Sequence, residues 1–263
     1  PPPLAAGERR LASIWITPRL ARLTAANLFP VLETAYPEPP KPVPSVAERC
    51  LPKTMATLKA GGRLRVLAWG DSVTAAGYLP DPATERWQEQ FVRRLRAAYP
   101  TATIELVTEA WGGRNTGSYF NEPPGSPHNY QEKVLDARPN LIVSEFVNDA
   151  GLDAAGVAKH YGRIRDDLKK IGAEWIILTP HYVRPDWMGL AEEQHCDDDP
   201  RTYVKALRTF AADNHLALAD ASLRWGRLWR QGIPYSTLLM NNINHPNPFG
   251  MSLFADALMA LFP

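Results

Sequence analysis

From residue 63 onward, short apolar runs alternate with longer amphipathic segments. The apolar runs predict buried strands at 63–69, 103–107, 141–147, 174–179 and 216–219. The amphipathic segments predict helices at 82–99, 154–171, 200–214 and 249–262. Strands that alternate with helices of this length form βαβ units, in which helices cover both faces of a parallel sheet. The chemistry of such a protein is expected beyond the carboxyl ends of its strands.

The first 60 residues differ from the rest, because 11 of the 25 prolines precede residue 53. Residues 36–44 have the pattern of an extended polyproline-type connector, and residues 11–28 have apolar residues at helical spacing, interrupted by Pro18. About sixty proline-rich residues bury too little surface to fold alone. We therefore predict an N-terminal proline-rich appendage, residues 1–60, packed on a main domain of residues 61–263.

Composition excludes several classes of protein. The 29 basic and 28 acidic residues nearly cancel, so no basic surface indicates a nucleic-acid partner. No run approaches the ~20 apolar residues of a membrane span. Cys50 and Cys196 cannot build a disulfide framework or a four-cysteine zinc site, and they are either one bridge or two free thiols. The acidic run 197–199 is better explained as charge at a helix start than as a calcium loop, so we expect no metal and no cofactor.

Four polar positions lie at predicted strand ends or in the last loop. Ser72 follows the first strand, Gly113 the second and Asn148 the third, while His245 precedes the last helix. Taken singly, each has an ordinary explanation: a helix N-cap, a turn, a loop amide or a capped surface histidine. Ester hydrolysis by a protein nucleophile needs a hydroxyl, a base and donors for the oxyanion; Ser72 supplies the hydroxyl, and His245 can be the base.

These four positions resemble the four sequence blocks of the SGNH (GDSL-type) hydrolase superfamily, over about residues 63–262. The stretch 113–119 is similar to the second block of rhamnogalacturonan acetylesterases. The pattern and the resemblance predict one fold class: α/β, a three-layer α/β/α sandwich with a parallel, flavodoxin-like five-stranded sheet. Two positions depart from the family. Phe146 stands at or near the usual glycine of the third block, and Asn242 stands where the family has the triad aspartate.

The resemblance implies a catalytic role for Ser72 as nucleophile and for His245 as its base. It implies an oxyanion hole made of the backbone N–H groups of Ser72 and Gly113 and the side-chain amide of Asn148. Because Asn242 replaces the aspartate, we expect a Ser72–His245 dyad. Its histidine would take a partner from a backbone carbonyl or another carboxylate, with Asp220 as a candidate.

The substrate is expected to be a small-molecule or polysaccharide ester. Trp69, Trp111 and Trp187 are predicted in or beside the site loops, and aromatic faces stack on sugar rings, although core or rim packing is the favoured explanation for any single tryptophan. Further residues are candidates for lining the substrate: Trp111, Arg114, His181 and Tyr182. These observations favour a serine esterase that removes acetyl groups from a carbohydrate.

Two other functions stay open. One is a lipid or thioester hydrolase of the same superfamily, acting on longer acyl chains. The other, suggested by Asn242, is a catalytically inactive sugar-binding protein. The chain starts at Pro1, and a trimmed N-terminus with a carbohydrate substrate would fit a secreted or periplasmic enzyme.

Overall fold

The computed structural model describes residues 40–190, 198–230 and 233–263. Five strands form one sheet with the order β2-β1-β3-β4-β5, and all neighbouring strands are parallel. The strands are Arg63–Gly70 (β1), Thr103–Ala110 (β2), Leu141–Glu145 (β3), Glu174–Leu178 (β4) and Ala217–Ala219 (β5). This is the flavodoxin-like order, in which the chain reverses direction across the sheet between β1 and β3. The predicted fold class is confirmed.

Helices cover the sheet on both sides. The described α-helices are Val46–Cys50 (α1), Pro52–Lys59 (α2), Ser72–Ala75 (α3), Pro82–Glu85 (α4), Trp87–Ala98 (α5), Thr116–Asn121 (α6), Ala154–Ile171 (α7), Thr202–Asp213 (α8), Ala221–Arg230 (α9) and Pro248–Met259 (α10). Helix α5 packs against α10, and α7 packs against α8. The main apolar cluster includes Trp69 and Phe146 from the sheet side and Tyr161 from α7. None of the helices in the described ranges is both long and apolar enough to cross a membrane.

Two helix predictions need correction. The predicted helix 82–99 is interrupted at Arg86, whose extended backbone (φ −66°, ψ 150°) separates α4 from α5. Helix α9 was not predicted, because Gly226 in its middle weakens the helical pattern. A Cβ on Gly226 would lie 2.4 Å from the hydroxyl of Tyr182, so this position has no room for a side chain.

The part of the predicted appendage that the structure describes, residues 40–60, contains α1 and α2. The backbone N–H groups of Lys53 and Thr54 donate to the Glu174 carboxylate at 2.8 and 2.7 Å. The N–H of Ala47 donates to the carbonyl of Leu261 at 2.8 Å. The remainder, including the helical spacing at 11–28, lies outside the described residues, and the domain boundary at residue 60 stays a prediction.

Candidate active site

Strand β1 ends in a tight turn that exposes Ser72. A Cβ on Gly70 would lie 2.3 Å from the carbonyl oxygen of Glu145 on β3, so only glycine fits where the two strands end. Asp71 caps α3, and its carboxylate accepts the N–H of Val73 at 3.0 Å. Ser72 is the first residue of α3, so its own N–H belongs to the first turn, which has no carbonyl acceptor within the helix. Both the hydroxyl and the N–H of Ser72 are therefore placed beside the carboxyl end of the sheet.

His245 reaches Ser72 from a loop before α10. The side-chain oxygen of Asn241 accepts three successive backbone N–H groups, from Ile243, Asn244 and His245, each at 3.0 Å. This network shapes the loop and presents the imidazole. The distance from His245 Nε2 to Ser72 Oγ is 3.3 Å, within hydrogen-bond reach across 173 positions of sequence. The two side chains are arranged as a base and a nucleophile.

Gly113 lies in the loop that follows β2, and its neighbour Gly112 lies close to the serine. The position that a Cβ would take on the preceding residue, Gly112, is 3.7 Å from the Cβ of Ser72. Gly113 has φ +72°, in the left-handed region that favours glycine. Asn115 then caps α6 by accepting the N–H of Ser118 at 2.9 Å.

Asn148 lies in the 3₁₀ turn Val147–Asp149 that follows β3. Its backbone N–H and its side-chain amide both donate to Oδ2 of Asp71, each at 2.9 Å. The predicted oxyanion-hole residue is thus held directly against the residue that precedes the nucleophile. An amide nitrogen carries two hydrogens, so one remains for another acceptor.

Asp149 joins the loops after β2 and β3. It accepts the N–H and the hydroxyl of Thr116 at 3.1 and 3.0 Å, and the hydroxyl of Tyr161 at 3.0 Å. Burial raises the pKa of Asp149 to about 6. The carboxylate fixes the start of α6, and with it the loop that carries Gly113.

The electrostatics of the site come mainly from burial. Desolvation raises the pKa of Asp71, and the nearby Asp149 raises it further. Desolvation also holds the pKa of Glu145, at the end of β3, well above its usual value. Neither side-chain oxygen of Glu145 has a hydrogen-bond partner among the described residues. The pKa of His245 is lowered by burial, which favours the neutral imidazole that a general base requires.

Nothing in the described part of the chain supplies the third member of a triad. The side chain of Asn242 is exposed and makes no hydrogen bond there, and its backbone is left-handed at φ +55°. His245 Nδ1 likewise has no hydrogen-bond partner among the described residues. The suggested alternative, Asp220, bonds Thr179 at 3.1 Å and Arg208 at 2.7 Å, so its carboxylate serves another part of the fold.

Two of the predicted lining residues, Trp111 and Arg114, lie on either side of Gly113 in sequence and belong to one stacked group of side chains. Trp111 is half-buried and stacks on His128, with ring centroids 4.6 Å apart and planes 14° apart. The guanidinium of Arg114, which is exposed, lies 5.0 Å from the centre of the Trp111 ring. His128 Nδ1 also lies 2.7 Å from the Glu109 carboxylate, which anchors the stack.

The other lining residues need correction. His181 and Tyr182 are 0% and 1% exposed, so neither presents a surface to a substrate. Trp69 is fully buried and packs edge-on against Tyr119 and Phe146, which is a core role. All three residues lie at or just after the end of a strand, but their side chains are buried in the protein interior.

Trp187, in contrast, is 51% exposed. It lies in the loop after β4, where the N–H of Arg184 donates to the carbonyl of Ile243 at 2.8 Å. The Trp187 loop is therefore tied to the His245 loop.

The interpretation of the acidic run 197–199 as charge at a helix start also needs correction. Asp199 is buried and forms a two-point ion pair with Arg201, with N–O distances of 2.9 and 2.6 Å. Arg201 in turn donates to the carbonyl of His181 at 2.8 Å. Asp197 lies outside the described residues. Within the ranges that the structure describes, no three His, Cys, Asp or Glu side chains are grouped as metal ligands.

Cys50 is a free thiol, and burial raises its pKa. Cys196 lies outside the described residues.

Sequence reasoning missed two residues that contact the site. Asn241 organises the His245 loop, but an asparagine-rich stretch does not reveal which amide turns inward. Tyr78 stacks on His245, with ring centroids 4.1 Å apart and planes 4° apart. Its place six positions after Ser72 gave no signal, because the contact depends on the fold around both residues.

Comparisons with known proteins identify the family. The sequence model of the GDSL-like lipase/acylhydrolase family matches residues 68–253. A search by sequence among curated proteins gave no match.

Solved structures share the fold. A variant of Axe2, an acetyl-xylooligosaccharide esterase from Geobacillus stearothermophilus, is 16% identical, covers 74% of this chain and 92% of its own, and has a TM-score of 0.58. A two-domain esterase active on acetylated mannans is 17% identical, covers 80% of this chain and 51% of its own, and has a TM-score of 0.63.

The family match runs from Ala68, near the end of β1, to Leu253, in the middle of α10, and so includes β2 to β5 and all four blocks. The chain belongs to the GDSL-like lipase/acylhydrolase family of SGNH hydrolases, and is a serine carboxylic ester hydrolase.

Proposed function

We propose that this enzyme removes acetyl groups from a carbohydrate through an acyl-enzyme on Ser72. The observation that carries the proposal is the 3.3 Å contact between Ser72 Oγ and His245 Nε2, in a chain of an esterase family. A serine hydroxyl is a poor nucleophile unless such a base is within reach.

In the first half of the reaction, His245 Nε2 takes the proton of Ser72 as Oγ attacks the ester carbonyl. A C–O bond forms, and the carbonyl oxygen becomes an oxyanion. His245 then gives the proton to the sugar oxygen as the bond between the acyl carbon and that oxygen breaks. The product is an acetyl-serine with a free sugar hydroxyl.

Three donors are proposed to receive the oxyanion: the N–H groups of Ser72 and Gly113, and the remaining amide hydrogen of Asn148. A donor of this kind is typically worth ~10²–10³ in kcat. Asp71 supports this role, because its two hydrogen bonds from Asn148 hold the amide before the substrate arrives.

In the second half, His245 removes a proton from water, whose oxygen attacks the acetyl-serine. The tetrahedral intermediate collapses as His245 returns the proton to Ser72, and acetic acid leaves and ionises to acetate. The lowered pKa of His245 supports both halves, since it favours the neutral ring that accepts the proton of Ser72 and then that of water.

The carbohydrate part of the proposal rests on the surface beside the dyad. Trp111 and the exposed Arg114 flank Gly113, and Trp187 is exposed on a loop tied to the His245 loop. Such side chains can stack on a sugar ring and bond its hydroxyl groups. The neighbouring structures described as acting on acetylated xylooligosaccharides and mannans are consistent with this substrate class.

The test is acetate release from acetylated xylan, mannan and pectin fractions, with the Ser72→Ala variant as the control. We expect release from at least one polysaccharide by the wild type and none by the variant. Equal release by the two proteins would contradict the role of Ser72.

The same preparations should be compared on p-nitrophenyl acetate, octanoate and palmitate. A preference for the long chains would replace the carbohydrate proposal with a lipid or thioester hydrolase. Failure of a fluorophosphonate to label Ser72 would instead favour the inactive sugar-binding protein.

A further inference from the structure

The orientation of His245 lacks the support that a carboxylate gives to a catalytic histidine. In a full triad, the acid accepts the Nδ1–H hydrogen bond, fixes the ring and stabilises the imidazolium. Here the position of that acid holds Asn242, whose side chain is exposed and makes no hydrogen bond in the described ranges. Another contact must restrict rotation of the imidazole about its side-chain bonds.

Tyr78 makes that contact. Its ring lies parallel to the imidazole, with centroids 4.1 Å and planes 4° apart. Tyr78 follows directly from the turn that carries the nucleophile: the N–H of Ala76 donates to the carbonyl of Ser72 at 2.8 Å, and the N–H of Leu79 donates to the carbonyl of Ala76 at 3.1 Å. The tyrosine that stacks on the base therefore belongs to the same loop as the nucleophilic serine.

The tyrosine side chain reaches into the protein interior. It is half-buried, and its hydroxyl oxygen is buried without a hydrogen-bond partner among the described residues. Burial raises the pKa of Tyr78, and the carboxyls of Glu145 and Asp71 raise it further, so the phenol stays protonated. The face that it offers to His245 is that of a neutral, electron-rich ring.

We propose that Tyr78 is a positioning residue that replaces the triad carboxylate for His245. Stacking limits the imidazole to the plane in which Nε2 faces Ser72. The negative face of the phenol ring attracts the imidazolium formed when His245 takes the serine proton, as cation–π contacts do. The inference rests on the proposed role of His245 as the base.

The test compares Tyr78→Phe, which keeps the ring, with Tyr78→Met, which fills the space without an aromatic face. We expect Tyr78→Phe to keep kcat/KM on p-nitrophenyl acetate within about threefold of the wild type, because the stack survives. We expect Tyr78→Met to lose about tenfold to a hundredfold, mainly in kcat, because the base is no longer oriented in the transition state.

The pH profile separates positioning from a merely structural role. Loss of the aromatic face should move the acid limb of kcat/KM to lower pH by about half a pH unit in Tyr78→Met but not in Tyr78→Phe. Burial lowers the pKa of His181, the buried histidine near His245, well below its usual value. Asp71 and Glu145 are present in the wild type, in Tyr78→Phe and in Tyr78→Met. Tyr78→Phe removes only the phenol hydroxyl, and so controls for the electrostatic interaction of these two carboxyls with it.

A thermal melt of each variant shows whether it is folded. If Tyr78→Met does not fold, Tyr78→Leu serves as a second ring-free variant. A ring-free variant with wild-type kcat and an unmoved acid limb would overturn the proposal. So would a Tyr78→Phe variant as impaired as the ring-free one, since the hydroxyl would then be responsible. His245→Ala is tested in parallel. If His245→Ala stays active, His245 is not the base. If His245→Ala is inactive while a ring-free variant is fully active, only the role of Tyr78 is refuted.

Discussion

Asp71 and Asn148 are joined by two hydrogen bonds, because one carboxylate oxygen accepts both the backbone N–H and the side-chain amide of Asn148 at 2.9 Å. The bonds connect the turn after β1 with the turn after β3, across the point where the sheet order reverses. The aspartate of the Gly-Asp-Ser turn thus acts on the loop of a neighbouring strand.

This relationship predicts the effect of Asn148→Ala. The amide meets an oxygen that is fully charged only in the transition state, so we expect kcat to fall by about 10²–10³ while KM changes little. The measurement is steady-state kinetics on a small acetyl ester, with a thermal melt to confirm folding. A normal kcat with a raised KM would make Asn148 a ground-state binding residue.

Ser72→Ala tests the nucleophile. We expect loss of esterase activity and an unchanged melting temperature, because the hydroxyl bonds only His245 among the described residues and its removal leaves no core cavity. Activity and melting should be measured on the same preparation. More than about a tenth of wild-type kcat in the variant would be incompatible with the assignment.

The strands illustrate what the sequence can predict. A strand buried along its whole length, such as β3, begins with consecutive apolar residues, here 141–143, so its place along the chain is visible before folding. The residues at its carboxyl end then fall at one edge of the sheet, which is why Ser72 and Asn148 could be brought together from sequence alone.

The contacts that the sequence did not reveal depend on side chains meeting across the fold. Asp199 looked like one of three helix-start charges, yet it is buried and accepts a hydrogen bond from the Ser222 hydroxyl of α9 at 2.6 Å. His181 looked like a site-facing residue after β4, yet it packs against Trp225 and Phe254. A strand-end position specifies an edge of the sheet, but the depth of a side chain there depends on what other elements pack over it.

The pH dependence of the reaction is the third prediction. Burial lowers the pKa of His245 below 6.5, and a base must be neutral to act. As pH rises, kcat/KM should therefore increase through a midpoint below 6.5 and be level at neutral pH. The measurement is kcat/KM against pH on a small acetyl ester.

Titration of the His245 ring by NMR in the Ser72→Ala variant would assign that midpoint to the histidine. A midpoint at or above about 7 would indicate an anionic group beside the ring, as in a full triad, because an adjacent negative charge stabilises the imidazolium.

The two neighbouring asparagines before His245 provide the last prediction, because they are expected to behave in opposite ways. Asn241 accepts three backbone N–H groups of the His245 loop, whereas Asn242 makes no side-chain hydrogen bond in the described ranges. Asn241→Ala should lower kcat/KM by about tenfold or more, because the loop that presents the base loses its common acceptor. Asn241→Asp keeps an acceptor oxygen and is its matched control.

At position 242 the informative variant is Asn242→Gly, since φ is +55° there and glycine removes the side chain without backbone strain. We expect kcat/KM to change by less than about tenfold, or ~1.4 kcal/mol, while His245→Ala costs orders of magnitude. Replacing the acid of a serine protease triad with asparagine costs about 10⁴ in kcat, so a native asparagine at this position is compatible with activity only if it lies outside the catalytic unit. Comparable losses in Asn242→Gly and His245→Ala, measured on one acetyl ester, would place Asn242 inside that unit, and the Ser72–His245 dyad would have to be abandoned.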